Sequence, residues 1–129
     1  MTRFERAVKA RDPEAMAASL APDVTFRSPV VFGPYEGRDA VMMLLRAVVE
    51  VFEDFRYVQR LEADGAAALI FKARVGDREL DGLDLLQLDD DGLVTELTVM
   101  VRPMSGVNAL AGAMRDQLER MGVPVPGAG

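Results

Sequence analysis

The spacing of apolar side chains changes partway along the chain, from every third or fourth residue to every second. Phe4, Ala7 and Val8 recur at helical spacing behind Thr2, a residue type that caps helix N-termini. Asp12-Pro13-Glu14 predicts a second helix: Asp caps, Pro takes the first helical position, and Glu lies in the favourable first turn. Met16, Ala17 and Leu20 form its stripe, and Ala21-Pro22-Asp23 stops it. Residues 24–27 alternate as a half-buried strand does. A loop follows over 28–37, rich in turn residues and unusually apolar. Over 38–53, Val41, Leu44, Leu45, Val48, Val49 and Phe52 trace one broad helical face. Four strands are then predicted, over 55–62, 66–75, 79–88 and 93–102. Asp64-Gly65, Gly76-Asp77 and Asp89-Asp90-Asp91-Gly92 separate them, as in an antiparallel meander of hairpins. Pro103 breaks the last strand, and Ser105 is placed to cap a final helix carrying Leu110, Met114 and Leu118. Residues 123–129 read as a flexible Pro/Gly-rich tail. Helices first and strands afterwards make an α+β pattern, with the long helix lying on a curved antiparallel sheet.

Composition narrows the chemistry. The 129 residues suit a single domain, expected over 1–122, and 50% hydrophobic residues with 28% charged exclude wholesale disorder. A net charge of -6 argues against nucleic acid or an anionic membrane surface as a partner. No apolar run approaches the roughly 20 residues of a membrane span. Met1-Thr2-Arg3-Phe4-Glu5-Arg6 carries charges where a signal peptide needs an apolar stretch, so a cytoplasmic protein is expected. The sequence has no Cys and no His. That removes thiolate and imidazole metal sites, Cys nucleophiles and the Ser-His-Asp triad together. With two Lys and two Tyr, acid-base chemistry falls mainly to carboxylates.

One carboxylate is out of place. In the 79–88 strand, Leu80, Gly82, Asp84, Leu86 and Leu88 share a face, and Asp84 interrupts an otherwise apolar set. If that face is inward, burial disfavours the charged form and raises the pKa, as at many functional sites. The competing reading pairs Asp84 with an Arg, Arg102 or Arg74, which would hold it charged, or places it near a wet strand end.

The order of elements resembles the nuclear transport factor 2-like superfamily, and within it the SnoaL-like and ketosteroid isomerase-like proteins. The matching stretches are Arg11-Asp12-Pro13-Glu14-Ala15-Met16, residues 20–26, Ser28-Pro29-Val30, residues 35–41 and Asp91-Gly92-Leu93-Val94. The resemblance implies a cone-shaped, mainly antiparallel sheet wrapped over the long helix, with an internal pocket. Its wall would include Leu45, Val48 and Phe52 of the helix, Phe71 and Leu86 of the sheet, and Leu97, Val99 and Val101 of the last strand. Asp84 falls where ketosteroid isomerase has its protonated acid, one part of a site that also needs an Asp base and an oxyanion-hole Tyr. The base position is Ser28, ahead of Pro29-Val30, and the Tyr position is Phe4. Those two substitutions argue against ketosteroid isomerisation while leaving Phe4, Ser28 and Val30 as ligand-contacting positions. The limonene epoxide hydrolase-like branch needs an Arg where this chain has Gly82. SnoaL-type cyclases use an Asp on a late strand with a His nearby, and the last strand here offers Glu96 and Arg102.

Three functions remain: a pocket protein binding a small, mostly apolar molecule, steroid- or polyketide-like, with Asp84 as polar anchor; an isomerase, dehydratase or cyclase using Asp84 as acid or hydrogen-bond donor; or a dimeric interaction module with a collapsed pocket. No cofactor or metal is expected, and residues 89–92 read as a hairpin turn in which Gly supplies positive φ. The Met residues, Met42, Met43, Met100, Met104, Met114 and Met121 among them, fit core filling better than a ligand cavity. Tyr35 and Tyr57 are candidate hydrogen-bond donors in a pocket, although Tyr57, on a strand with Phe55 and Leu61, reads first as core or sheet-face packing. A homodimer is expected, because Ile70 and Val58 put apolar side chains on the outer sheet face, opposite the inward Phe55 and Leu61.

Overall fold

The computed structural model describes residues 1–123, so the tail expected over 123–129 lies outside the described residues apart from Val123. Among the described residues, four helices, α1 (Arg3–Ala10), α2 (Pro13–Ala18), α3 (Arg38–Val51) and α4 (Met104–Arg120), pack on one six-stranded sheet. Its strands are β1 (Leu20–Arg27), β2 (Tyr35–Glu36), β3 (Glu53–Ala63), β4 (Ala66–Val75), β5 (Arg78–Leu88) and β6 (Val94–Arg102). The spatial order is β2-β1-β6-β5-β4-β3. Every pairing is antiparallel except β1 with β6, which run parallel. This is the expected α+β architecture, a curved, unclosed sheet around the long helix.

The N-terminal caps form as their residue types dictate. The Thr2 side chain accepts a hydrogen bond from the Glu5 N–H, and Asp12 does the same for Ala15 ahead of Pro13. At α4 the expected cap fails: Pro103 is the N-cap, no side-chain cap bond forms, and Ser105 lies inside the helix. The strand predicted over 24–27 begins earlier, at Leu20, and the apolar loop contains β2, which pairs Tyr35 with Phe26. The long helix ends at Val51 rather than at residue 53, because Phe52 adopts an extended conformation and Glu53 pairs with Arg74. Arg38 anchors the start of α3 by donating through Nε and Nη2 to the Leu20 carbonyl.

Among the register slips of the sheet, two re-aim side chains near the core. In β3 the register slips between Tyr57 and Gln59. Tyr57 pairs with Phe71 and Arg60 with Leu69, and both partners are inward and buried. Arg60 therefore turns inward, and Leu61, expected inside, lies on the outer face at 57% exposure. In β6 a slip against Gln87 and Leu88 puts Val94 in the core.

The core has two parts. A larger one joins α1, α2 and α3 to the sheet through Phe4, Leu20, Val24, Val41, Leu69 and Leu97. A smaller one, beneath α4, is built on Phe71, Leu80 and Leu110. Gly82 makes room for it: a side-chain carbon at that position would lie 1.9 Å from the Phe71 ring across the β4–β5 pair.

Candidate functional site

Between the cores lies an apolar cavity of about 230 Å³. Below the ≈ 300–1,000 Å³ common for drug-sized ligands, it suits a compact molecule. The long helix supplies Leu45 and Val48, its C-cap supplies Phe52, the N-terminal helix supplies Phe4, and the loop after β1 supplies Ser28 and Val30. From the sheet come Phe71, Asp84, Leu97 and Val99. These sequence-predicted positions are therefore brought together. Two others are not. Leu86 is fully buried within the larger core, because close packing against its neighbours leaves it no free surface. Val101 packs instead against the smaller core.

Alternation along β5 works as expected. Leu80, Asp84 and Leu86 all point inward, and Asp84 is 8% exposed. Its cross-strand neighbours are Leu69 and Val99. Neither Arg expected as its partner reaches it: Arg102 Nη1 donates to Asp81 Oδ2 at 2.6 Å, and Arg74 binds Glu53 and Asp54. The partner is Tyr57, whose hydroxyl donates to Asp84 Oδ2 at 2.8 Å. Burial pushes the Asp84 carboxyl up from 3.8 to about 7, against the opposing pull of the Tyr57 hydrogen bond. The Tyr57 phenol is held well above its usual 10.0, first by burial, then by the charge of Asp84 and the hydrogen bond to it, and then by Glu5.

Tyr57 is the candidate-site side chain that the sequence ranked as packing first and pocket donor second. Its strand position suits packing, and it does pack, edge-on to Phe55 at 5.1 Å between ring centres. The hydrogen bond depends on β5, which reaches the site only through the meander. The sequence signal for one omission was present: Leu110, Met114 and Leu118, the stripe assigned to the final helix, line the cavity. Of the other Met side chains, Met16 also lines it and Met42 is core, whereas Met43, Met100, Met104 and Met121 are exposed.

The Ser28 hydroxyl accepts from the Val30 and Val31 N–H groups, so it shapes the loop at the cavity edge. Phe4 offers no donor. A second carboxylate to act as base is absent from the lining among the described residues. What the cavity presents is the hydrogen-bonded Asp84–Tyr57 pair in a mostly apolar lining to which Ser28, Tyr35 and Arg115 also contribute. Below about pH 7 the Asp84 carboxyl can donate to a ligand oxygen; above it, the carboxylate accepts from a ligand hydroxyl. The turn expected over 89–92 forms, with Asp89 Oδ1 accepting from the Asp91 and Leu93 N–H groups and Gly92 at φ 80°.

Residues 1–97 match the family described as SnoaL-like domain. Among solved structures, a steroid delta-isomerase from Pseudomonas aeruginosa is 42% identical, with a TM-score of 0.87 over 92% of this chain and 88% of that one. An uncharacterized protein with a cystatin-like fold from Silicibacter pomeroyi is 34% identical, with a TM-score of 0.85 over 91% of this chain and 83% of that one. An NTF2-like protein of unknown function from Cytophaga hutchinsonii shares the fold at 23% identity, with a TM-score of 0.61 over 80% of this chain and 87% of that one. No curated protein matches the chain.

Proposed function

The chain belongs to the SnoaL-like domain family, and on that premise we propose that it binds one small, mostly apolar molecule through a single oxygen, with Asp84 and Tyr57 as the anchor. The hydrogen-bonded acid-phenol pair, buried in an apolar cavity with no cation paired to the acid among the described residues, carries this reading. A carboxyl group so placed costs the fold stability, so its presence is best explained by a ligand that uses it. The test is binding of two fluorescent probes, 2-naphthol and naphthalene, which differ only in the hydroxyl. Asp84→Leu and Tyr57→Phe are each expected to weaken 2-naphthol about five- to tenfold, the weight of one hydrogen bond, and to leave naphthalene unchanged. Equal affinity for both probes in all three proteins would overturn the reading.

The 42% identity to a protein named steroid delta-isomerase favours a second reading, in which Asp84 is the acid of an isomerase. Ser28 and Phe4 weigh against it, because proton transfer within a steroid needs a positioned base. Loss of such a base lowers rates by about 10²–10⁴. Turnover of a 3-oxo-Δ5 steroid is therefore expected to stay near background in a spectrophotometric assay. Rates typical of evolved enzymes would return the isomerase reading to first place.

A further inference from the structure

We propose that the ligand carries an anionic group at the end opposite its anchored oxygen, and that Arg115 of α4 receives it. The inference deepens the proposed function and rests on it. Of the charged side chains among the described lining residues there are two, Asp84 and Arg115. They differ in setting: Asp84 is buried, whereas Arg115 is exposed while still lining the cavity, which places it at the mouth. Arg115 is the one Arg among the described lining residues. It forms no ion pair with the described residues, so its guanidinium is available to a carboxylate or another bidentate anion. The chain's net charge of -6 makes the environment unfavourable to anions in general, so a cation at the mouth gives local selectivity against that field. The helix holding it lies beyond the residues matched to the family, 1–97. Selectivity for the far end of the ligand is thus written into a part of this chain separate from the anchor.

The test uses 4-hydroxyphenylalkanoic acids of graded chain length and their methyl amides, titrated calorimetrically at pH 8 into the full chain. The phenol end reports the anchor and the other end reports Arg115. At the length that spans the cavity, the acid is expected to bind about three- to tenfold tighter than its amide, with the preference shrinking as salt is raised. Arg115→Gln is expected to abolish the preference and leave amide affinities unchanged. Acids and amides binding equally at every length, or Arg115→Gln weakening both by one factor, would overturn the assignment of Arg115. Amide affinity unmoved by Asp84→Leu would overturn the anchor instead, and failure of every acid and amide to bind would overturn both.

Discussion

A carboxyl group walled in by Leu69 and Val99, with one phenol for company, is more stable with its proton on. The unfolded chain ionises Asp84 near its ordinary 3.8, whereas the folded chain holds the proton to about 7. Between those values the folded state binds more protons, so this residue's contribution favours folding at low pH and is lost as pH rises towards 7. Asp84→Asn removes the dependence and keeps the shape. The variant is expected to match wild type near pH 4 and to exceed it by roughly 2–4 kcal/mol at pH 8, since each tenfold change in proton affinity between the two states is worth about 1.4 kcal/mol. Denaturant melts across that range check it, and a large loss of stability in the variant at neutral pH would point to an unseen cation partner. Removing the Tyr57 hydroxyl acts in the opposite sense on the acid, since its hydrogen bond lowers the Asp84 pKa. In Tyr57→Phe the Asp84 carbon resonance is expected to titrate at higher pH than in wild type. At this scale the sequence was half legible. Alternation alone singles out Asp84, but its partner sits 27 positions earlier, and nothing local ranks Tyr57 as a pocket donor above a packing aromatic.

The strands show where alternation can be trusted. β5 pairs without a slip with β4 from Arg78 to Gln87 and with β6 from Asp81 to Gln87, so its inward set was readable from the sequence. In β3 one extra residue beside Tyr57 reverses every assignment beyond it. Leu61 goes out, and Arg60 goes in to meet Glu5, a fully buried carboxylate, with Nε to Oε1 at 2.9 Å. Periodicity cannot foresee a bulge, because the chain gives no sign of which residue the partner strand will skip. The end of α3 and the start of α4 are missed for a related reason: the sheet claims Glu53, and Pro103 displaces Ser105 as cap. Gly82 sets the tightest packing between elements. Gly82→Ala is expected to cost about 1–3 kcal/mol or more by pushing the Phe71 ring, and a lowered melting temperature with reduced 2-naphthol affinity would report it. An unchanged melting temperature would mean that the ring has room to move.

Across the whole molecule, the sheet's outer face is apolar in the middle and charged at the margins. Leu61, Ala68, Leu85 and Thr98 form one cross-strand row, and Ile70, Leu83 and Met100 form another. The ion pairs of Asp81 with Lys72 and Arg102, and of Arg27 with Glu96, border them. Such a patch is normally covered, and a two-fold dimer is the commonest cover. Light scattering at micromolar concentration is expected to give twice the mass of one chain, and Leu83→Glu to halve it. A wild-type reading at the mass of one chain would sink the expectation. No helix among the described residues is long and apolar enough to cross a membrane.

The parallel pairing of β1 with β6 also has a meaning in time. Hairpins from β3 to β6 bring together neighbours in the chain, and such contacts close quickly. Phe26 meets Leu97 only across most of the sequence, and that register must wait until β6 exists to receive it. Both side chains line the cavity. Contact order therefore predicts that the cavity is finished last, with the anchor pair of β3 and β5 assembled within the meander before β1 closes the wall, so that a ligand present during folding would meet its anchor before its enclosure.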